Sequence, residues 1–375
     1  MMKLLHHYSI LLYTVKMPLV FTAAKDDNGR RLDRILRKAL KDTPLSAIHR
    51  LLRQGRVLVD SRPAVAGCRI HTGQIIEIKI NDNDLSAAVA VADTAVEPEA
   101  NVLKQHMLPE ILYEGDGLLV LNKPSGLLVH GKSSSGGLNA GKGDRDNLES
   151  RVRSYLEGKI PASLSFRPGP LHRLDRMSSG VIVFSVNLEG AKRFSAMMRE
   201  GRIKKYYLAL VEGTIEKAEV WQDELERDHN NKKTILGTPG GKVKTGLAFV
   251  KPLAGNGRCT LILVEIKTGR THQIRVQAAS RGHPLPGDKK YGGKSFSFHG
   301  AAKDGDNTGA ASERNVAKEK PSFGFLLHAW RIEIPGTEAD ESTGISPAIA
   351  VEAPIPLYFK KTIRNLFGGE VLKDL

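Results

Sequence analysis

The sequence predicts an α+β protein in which a small N-terminal α/β domain precedes a larger domain. Three observations lead to this prediction. Residues 17–80 contain two amphipathic helical segments followed by two short apolar strands. Residues 81–106 lose this periodicity and have the composition of a linker. From residue 107 onwards, β-branched and aromatic runs of strand length alternate with helical patterns.

The chain carries a large excess of positive charge. It has 375 residues, with 56 Lys and Arg against 41 Asp and Glu, and a net charge of +15. This balance favours a polyanionic partner such as nucleic acid. Cys68 and Cys259 are too few and too far apart for a disulfide framework or a cysteine metal cluster. No apolar run reaches the roughly 18 residues of a membrane span, so we expect no membrane partner. We also expect the protein to be cytoplasmic and monomeric.

Two basic helices are the main feature of the N-terminal domain. Apolar residues recur at helical spacing over residues 32–40, and Thr43 and Pro44 predict the N-cap and first position of a second helix. Strands are predicted over residues 57–59 and 75–80. We expect five arginines at these helices to contact phosphates. They are Arg31, Arg34, Arg50 and Arg53 on the polar faces, and Arg56 after the second helix.

Four other segments lack a regular pattern. Residues 1–16 precede Met17, which stands just before the first patterned segment, so we expect a leader or a start site at Met17. Residues 131–147 are rich in Gly and Ser but lack the Gly-Lys-Ser/Thr of a nucleotide P-loop, which favours a mobile surface loop. Residues 295–320 and 337–348 are expected to be surface insertions.

The chemically most distinctive stretch places one carboxylate between two guanidinium groups at the edge of a predicted strand. Asp175 stands between Arg173 and Arg176, and the apolar run 181–186 follows Ser-Ser-Gly. We therefore expect Asp175 on a loop at the lip of a sheet. By itself the pattern fits either a structural salt bridge or a reactive carboxylate. A kinase catalytic loop is excluded because no Asp-Phe-Gly follows.

Further elements are predicted on both sides of this stretch. Asp116 and Gly117 predict the turn of a hairpin over residues 109–124. The other predicted elements are strands over residues 203–213 and 260–266, and helices over residues 148–156 and 188–199.

Ordered blocks of the larger domain resemble the motifs of the RluA-type pseudouridine synthases. Residues 172–180 are similar to HRLDxxTSG, with Met177 and Ser178 as departures, and residues 121–130 match LNKPSGxxVH. The remaining matches are residues 205–209 to a Lys-x-Tyr-x-Ala strand, residues 268–277 to TGRTHQIRVH with Gln277 replacing the last His, residues 282–292 to GxPxxGDxxYG, and residues 326–331 to the block that follows. Residues 17–80 resemble the S4 RNA-binding module in their order of helices and strands.

The resemblance implies a pseudouridine synthase fold in residues 107–375, with a mixed, largely antiparallel central sheet flanked by helices. It also implies the isomerisation of RNA uridines without a cofactor or a metal. Asp175 would be the nucleophile, attacking either ribose C1′ or base C6, with Arg275 as its charge partner. Tyr207 would be a third catalytic residue, which stacks on the flipped uracil and takes part in proton transfer. Arg173 would fill the space that the base leaves.

The remaining expected RNA contacts are Lys123, Arg270 and His272, and a structural cation is the alternative for Lys123. Large-subunit ribosomal RNA is the expected substrate, and transfer RNA is the alternative. A non-catalytic RNA-binding assembly factor is a third hypothesis, which the presence of Asp175, Tyr207 and Arg275 disfavours.

If Asp175 is the nucleophile, its replacement by Asn or Ala should abolish pseudouridine formation, because neither side chain can form and later release a covalent bond. RNA affinity should change little. Turnover assays and binding titrations on the same purified variants measure both quantities. Full turnover by either variant would contradict the assignment.

Overall fold

The computed structural model describes residues 18–40, 43–79, 107–131, 146–161, 163–228, 231, 233–237, 241, 243–296, 324–336 and 348–372. The expected leader, the linker and most of the loop and the two insertions predicted above lie outside these residues. The contacts divide the chain into two compact units, the first comprising the N-terminal region and residues 160–167, and the second the remainder. Each helix in the described ranges is too short or too polar to cross a membrane.

The N-terminal unit contains two helices and two small sheets. The helices are α1 (Leu32–Ala39) and α2 (Leu45–Arg53), and the strands are β1 (Leu19–Thr22), β2 (Arg30–Arg31), β3 (Val57–Val59), β4 (Arg62–Pro63), β5 (Arg69–Ile70) and β6 (Ile75–Ile78). The larger sheet has the order β1-β6-β3-β4, and β2 pairs with β5. The predicted order of two helices, strand, turn and strand is confirmed. Helix α2 begins one residue later than predicted, with Pro44 at its N-cap.

The amphipathic pattern of the two helices explains how this unit folds. Their apolar positions are buried, for example Leu32, Ile35 and Ile48, each fully covered. They pack with Val57 and Ile76 of the sheet into one cluster. Burial of one such side chain stabilises the fold by roughly 1.5–3 kcal/mol, while the arginines between them stay on the outer faces.

Residues 160–167 belong with the N-terminal unit, although the sequence analysis assigned them to the larger domain. The buried carboxylate of Asp27 accepts hydrogen bonds from Leu164 N at 3.2 Å and Ser165 N at 2.9 Å. The Ser165 carbonyl accepts from Arg30 Nη1 at 3.2 Å and Lys38 Nζ at 2.7 Å. These contacts join residues more than 120 positions apart in the chain, so no local pattern predicts them.

The larger unit is built on an extensive sheet. Its strands are β7 (Ile111–Gly115), β8 (Leu118–Lys123), β9 (Gly169–Pro170), β10 (Ser179–Ser185), β11 (Lys204–Glu212), β12 (Glu219–Asp228), β13 (Lys233–Leu236), β14 (Lys244–Gly255), β15 (Cys259–Ile266), β16 (Leu327–Ile334) and β17 (Ile349–Glu352). Its helices are α3 (Leu148–Leu156), α4 (Leu188–Arg199), α5 (Gln273–Ser280) and α6 (Leu357–Phe367). The predicted hairpin, strands and helices are all present, with ends that shift by at most two residues.

The sheet is mixed and largely antiparallel, as predicted. Its strand order is β13-β12-β14-β15-β11-β16-β10-β8-β7, with β17 added beside β16 and β9 beside β10. Among the described strands, β10 and β16 form the one parallel pair. Strand β10 is buried along its whole length, because β8, β9 and β16 all pair with it. The loop that carries Asp175 therefore leads directly into the most enclosed strand of the sheet.

Gly180 is required where β10 approaches β16. Its φ is +105°, and a Cβ there would lie 2.1 Å from the Ala329 carbonyl oxygen. Such a contact is far shorter than any van der Waals separation, and side chains rarely adopt this φ.

Replacement of Gly180 by Ala should destabilise the protein by about 3 kcal/mol or more, since backbone strain and overpacking add. Gly158→Ala is the matched control, because its φ is +73° but a Cβ there would meet open space. The control should cost about 1 kcal/mol. Denaturant unfolding of both variants measures the difference, and equal losses would contradict the role of the Ala329 contact.

Candidate active site

Asp175 and Arg275 meet although 100 residues separate them in the sequence. Asp175 lies in the loop before β10, and Arg275 lies in the first turn of α5, which follows β15. Arg275 Nη1 donates to Asp175 Oδ2 at 2.8 Å. The arginine side chain is 8% exposed and the aspartate 15%, so this ion pair is only weakly screened by solvent. The structure thus places together the two residues that the resemblance paired.

A second carboxylate fixes the orientation of Arg275. Its Nε donates to Asp288 Oδ2 at 2.6 Å and its Nη2 to Asp288 Oδ1 at 2.8 Å, a bidentate geometry. The guanidinium also lies over the rings of Tyr291 and Phe325, at 5.0 and 4.5 Å. Burial opposes its charge, but Asp288 and Asp175 together raise the pKa of Arg275. The guanidinium is therefore a fixed positive charge that faces the Asp175 carboxylate.

Tyr207 lies on the buried side of β11, and its neighbour Tyr206 lies on the opposite face, as strand alternation predicts. Tyr207 is 7% exposed. Burial and the charge of Asp175 raise the pKa of its phenol. The hydroxyl is accordingly protonated at neutral pH and sits within the electrostatic reach of the carboxylate.

Lys123 is a structural cation, the alternative that the sequence left open. Its side chain is fully buried. Its Nζ donates to three backbone carbonyl oxygens, those of Pro124 and Leu127 at 2.9 Å and of Arg176 at 3.1 Å. Burial lowers the pKa of Lys123 to about 7, and Asp175 opposes that shift. The buried position of Lys123 differs from the expected RNA contact. Its hydrogen bonds join the loop after β8 to the loop of Asp175.

His272, another expected RNA contact, lies beside Asp175. It stands at the N-cap of α5 with a φ of +55°. Its Nε2 lies 3.7 Å from Asp175 Oδ1, and its Nδ1 lies 2.9 Å from the Tyr291 hydroxyl. Half-buried between these groups, His272 is part of the site itself.

Arg173 and Arg270 are exposed, as residues that contact RNA must be. Arg270 Nε donates to the Thr245 carbonyl oxygen at 3.0 Å, which anchors it near β14. Neither contacts Asp175 through any hydrogen bond found in the described ranges.

In the N-terminal unit, the predicted arginines separate into two groups. Arg31 and Arg34 line an open cleft of about 780 Å³, whose other lining residues are Gly29, Arg30, Arg37, Lys38 and Arg69. Arg50 and Arg53 lie exposed on α2, and Arg56 is half-buried after it; these three do not line the cleft. The sequence analysis missed Arg30 and Arg69 because β2 and β5, which carry them, are only two residues long.

The sequence pattern does not reveal the roles of Asp288, Tyr291 and Phe325. Asp288 and Tyr291 stand in a matched motif, but their spacing from Arg275 does not reveal that they contact it. A buried arginine requires more than one hydrogen-bonding partner. This requirement is the signal that points to a second carboxylate beside Arg275. Over the described ranges, no cluster of three His, Cys, Asp or Glu side chains is suited to a metal ion.

Comparison with known proteins gives consistent similarities. Residues 117–280 match the family model described as RNA pseudouridylate synthase. The chain is 31% identical over 284 residues to ribosomal large subunit pseudouridine synthase C of Vibrio vulnificus, covering 74% of this chain and 81% of that protein. It is 28% identical over 345 residues to ribosomal large subunit pseudouridine synthase D of Neisseria meningitidis, covering 91% and 80%.

Among solved structures, the chain is similar to human RNA Pseudouridylate Synthase Domain Containing 4, with a TM-score of 0.47 and 20% identity. The match covers 68% of this chain and 92% of that one.

Lys123→Met should lower the free energy of unfolding by about 3 kcal/mol, because three buried carbonyls lose their donor. It should leave the salt dependence of RNA affinity unchanged. Arg34→Met is the matched control, since Arg34 is exposed in the basic cleft. That control should keep stability and lower the salt slope by about one. A reduced slope for Lys123→Met would restore Lys123 to the RNA-contacting set.

Proposed function

Since the chain belongs to the RNA pseudouridylate synthase family, RluA type, and is therefore an isomerase, we propose that it converts specific uridines of large-subunit ribosomal RNA into pseudouridine with Asp175 as nucleophile. The contact of Asp175 with the fixed Arg275 carries this proposal. A nucleophilic carboxylate needs a fixed position and a counter-charge, and the buried guanidinium at 2.8 Å supplies both.

The two oxygens of Asp175 have different surroundings, which supports a division of labour. Oδ2 accepts the hydrogen bond from Arg275. Oδ1 lies 3.7 Å from the His272 ring, beyond hydrogen-bond distance. We infer that Oδ1 attacks the nucleotide while Oδ2 keeps the charge balanced. A covalent bond between Asp175 and the nucleotide divides the reaction into two easier steps. In the whole reaction, the bond from the ribose to N1 of the base is replaced by a bond to C5.

The target base has to leave its stack before it can reach Asp175, at a cost of a few kcal/mol. The exposed Arg173, two residues before the nucleophile, is suited to occupy the vacated space. We infer that Tyr207 stacks on the uracil, which its position on the buried side of β11 and its electrostatic interaction with Asp175 support. Base–aromatic stacking contributes about 1–3 kcal/mol per base.

The choice of ribosomal RNA rests on the relatives and on the charge of the N-terminal unit. The curated relatives described above are named for the ribosomal large subunit. The S4-like unit of residues 17–80 adds a cleft lined by Arg31, Arg34 and further cations. Such a cleft binds the phosphate backbone and adds affinity that does not depend on sequence.

The substrate is tested by mapping pseudouridines in ribosomal and transfer RNA from cells with and without the gene. Large-subunit positions should lose the modification without the gene and regain it with the intact gene. Complementation with the Asp175→Asn variant should leave them unmodified, which separates catalysis from the presence of the protein. Loss confined to transfer RNA would overturn the ribosomal substrate.

A further inference from the structure

Lys205, near the start of β11, is a buried cation that lacks an acceptor. The residue is 6% exposed, and its Nζ makes no hydrogen bond or ion pair within the described ranges. Lys123, the other buried lysine of those ranges, donates to three carbonyl oxygens. Because a covered ammonium without a partner destabilises a fold, packing alone does not account for Lys205.

The ammonium tip of Lys205 is accessible to a ligand. In the described ranges, the fully covered side-chain atoms that lack a partner are Arg56 Nη2, Ser178 Oγ, Gln277 Oε1 and Arg331 Nε. Lys205 Nζ also lacks a partner but is not one of these covered atoms, so it reaches solvent. The covered part of the residue is its aliphatic stem, as is common for a lysine at the edge of an apolar region.

The strand neighbours of Lys205 are apolar. Antiparallel pairing places Ile266 of β15 and Ile332 of β16 opposite it. The preceding residue, Lys204, lies on the other face of β11. It pairs with Glu333, and its Nζ lies 3.4 Å from that carboxylate. At this position the two neighbouring strands thus supply a carboxylate to the exposed lysine and only isoleucines to the buried one.

The polar groups that face Lys205 are donors. Burial and the charge of Arg270 lower the pKa of Lys205 to about 8, which shows that the two cations lie close together. His172 Nε2 accepts from the Val183 amide at 3.0 Å, which leaves the ring proton on Nδ1. Burial and the charge of Lys205 lower the pKa of His172 to about 3, so the ring stays neutral. A ligand that satisfies Lys205 and Arg270 together therefore has to carry negative charge.

This group of donors lies beside the candidate active site. Lys205 and Tyr207 share one face of β11 and are about 7 Å apart along the strand. Tyr207 interacts with the charge of Asp175, and His172 stands three residues before that nucleophile. A nucleotide whose base stacks on Tyr207 can span this separation with its own phosphate, which is the part that carries the negative charge.

We propose that Lys205, together with Arg270, binds a backbone phosphate next to the target uridine. The inference rests on the isomerisation of RNA uridines proposed above and gives Lys205 a role in binding. The phosphate accepts a charge-assisted hydrogen bond from the ammonium tip, so RNA satisfies a cation that the free protein leaves unpaired. Such a contact favours a nucleotide that has left its stack, because only its phosphate and base reach Lys205 and Tyr207 at the same time.

The first test is the stability of the free protein. Lys205→Met keeps an unbranched apolar stem and removes the charge, so denaturant unfolding should show stability that is unchanged or increased. Lys204→Met is the matched control, since it removes one cation from the exposed face of the same strand. A midpoint for Lys205→Met well below those of the control and the unaltered protein would mean that the lysine serves the fold, which would overturn the proposal.

The second test uses the intact protein and a large-subunit ribosomal RNA fragment that contains a mapped target uridine. A neutral methylphosphonate replaces the phosphate on either side of this uridine, one linkage at a time. For the unaltered protein and for Lys204→Met, one of the two replacements should lower kcat/KM by about 10-fold to 100-fold, the range for a hydrogen bond to a charged group.

Lys205→Met should lose activity on the unmodified fragment by a similar factor, and the same methylphosphonate should then have a much smaller further effect. Such non-additivity is expected only when the lysine and the phosphate interact. Equal methylphosphonate losses in Lys205→Met and in the unaltered protein would overturn the proposal. If the unaltered protein modifies a transfer RNA and not the ribosomal fragment, the substrate proposal fails instead, and the same comparison on that transfer RNA decides the role of Lys205.

Discussion

The ion pair between Asp175 and Arg275 can exist only because a second carboxylate holds the arginine from its other side. A buried guanidinium with one partner would keep unsatisfied donors, at a cost of several kcal/mol. Asp288 takes two of those donors, and the aromatic rings of Tyr291 and Phe325 flank the plane of the guanidinium. The orientation of Arg275 is thus set before any substrate binds, which is the condition for electrostatic catalysis without reorganisation.

The loop that carries the nucleophile depends on two features of the sheet. Lys123, at the end of β8, binds carbonyl oxygens from its own loop and from Arg176, next to Asp175. Gly180 lets β10 approach the backbone of β16. These contacts fix the backbone that follows Asp175, so the carboxylate can be placed by hydrogen bonds rather than by an induced movement of the loop.

Residues 160–167 show how distant parts of the chain complete the N-terminal unit. These residues are held by Asp27, Arg30 and Lys38 of the N-terminal unit, and only a few residues separate them from Asp175. Arg30 and Lys38 also line the basic cleft. Two of the cleft's cations therefore also hold the Ser165 backbone within the N-terminal unit.

The sequence by itself determined the helices α1 to α4, seven of the described strands, the basic faces of α1 and α2, and Asp175 as a carboxylate at a strand edge. The seven strands are β3, β6, β7, β8, β10, β11 and β15. Periodicity and turn residues report local geometry and the buried face of each element. They do not report which distant side chains meet. Only the tertiary structure could place Asp288 against Arg275, His272 beside Asp175, and Lys123 inside the protein. A charged or polar side chain looks the same in the sequence whether it faces solvent or a buried partner, because its partner is supplied by another part of the chain.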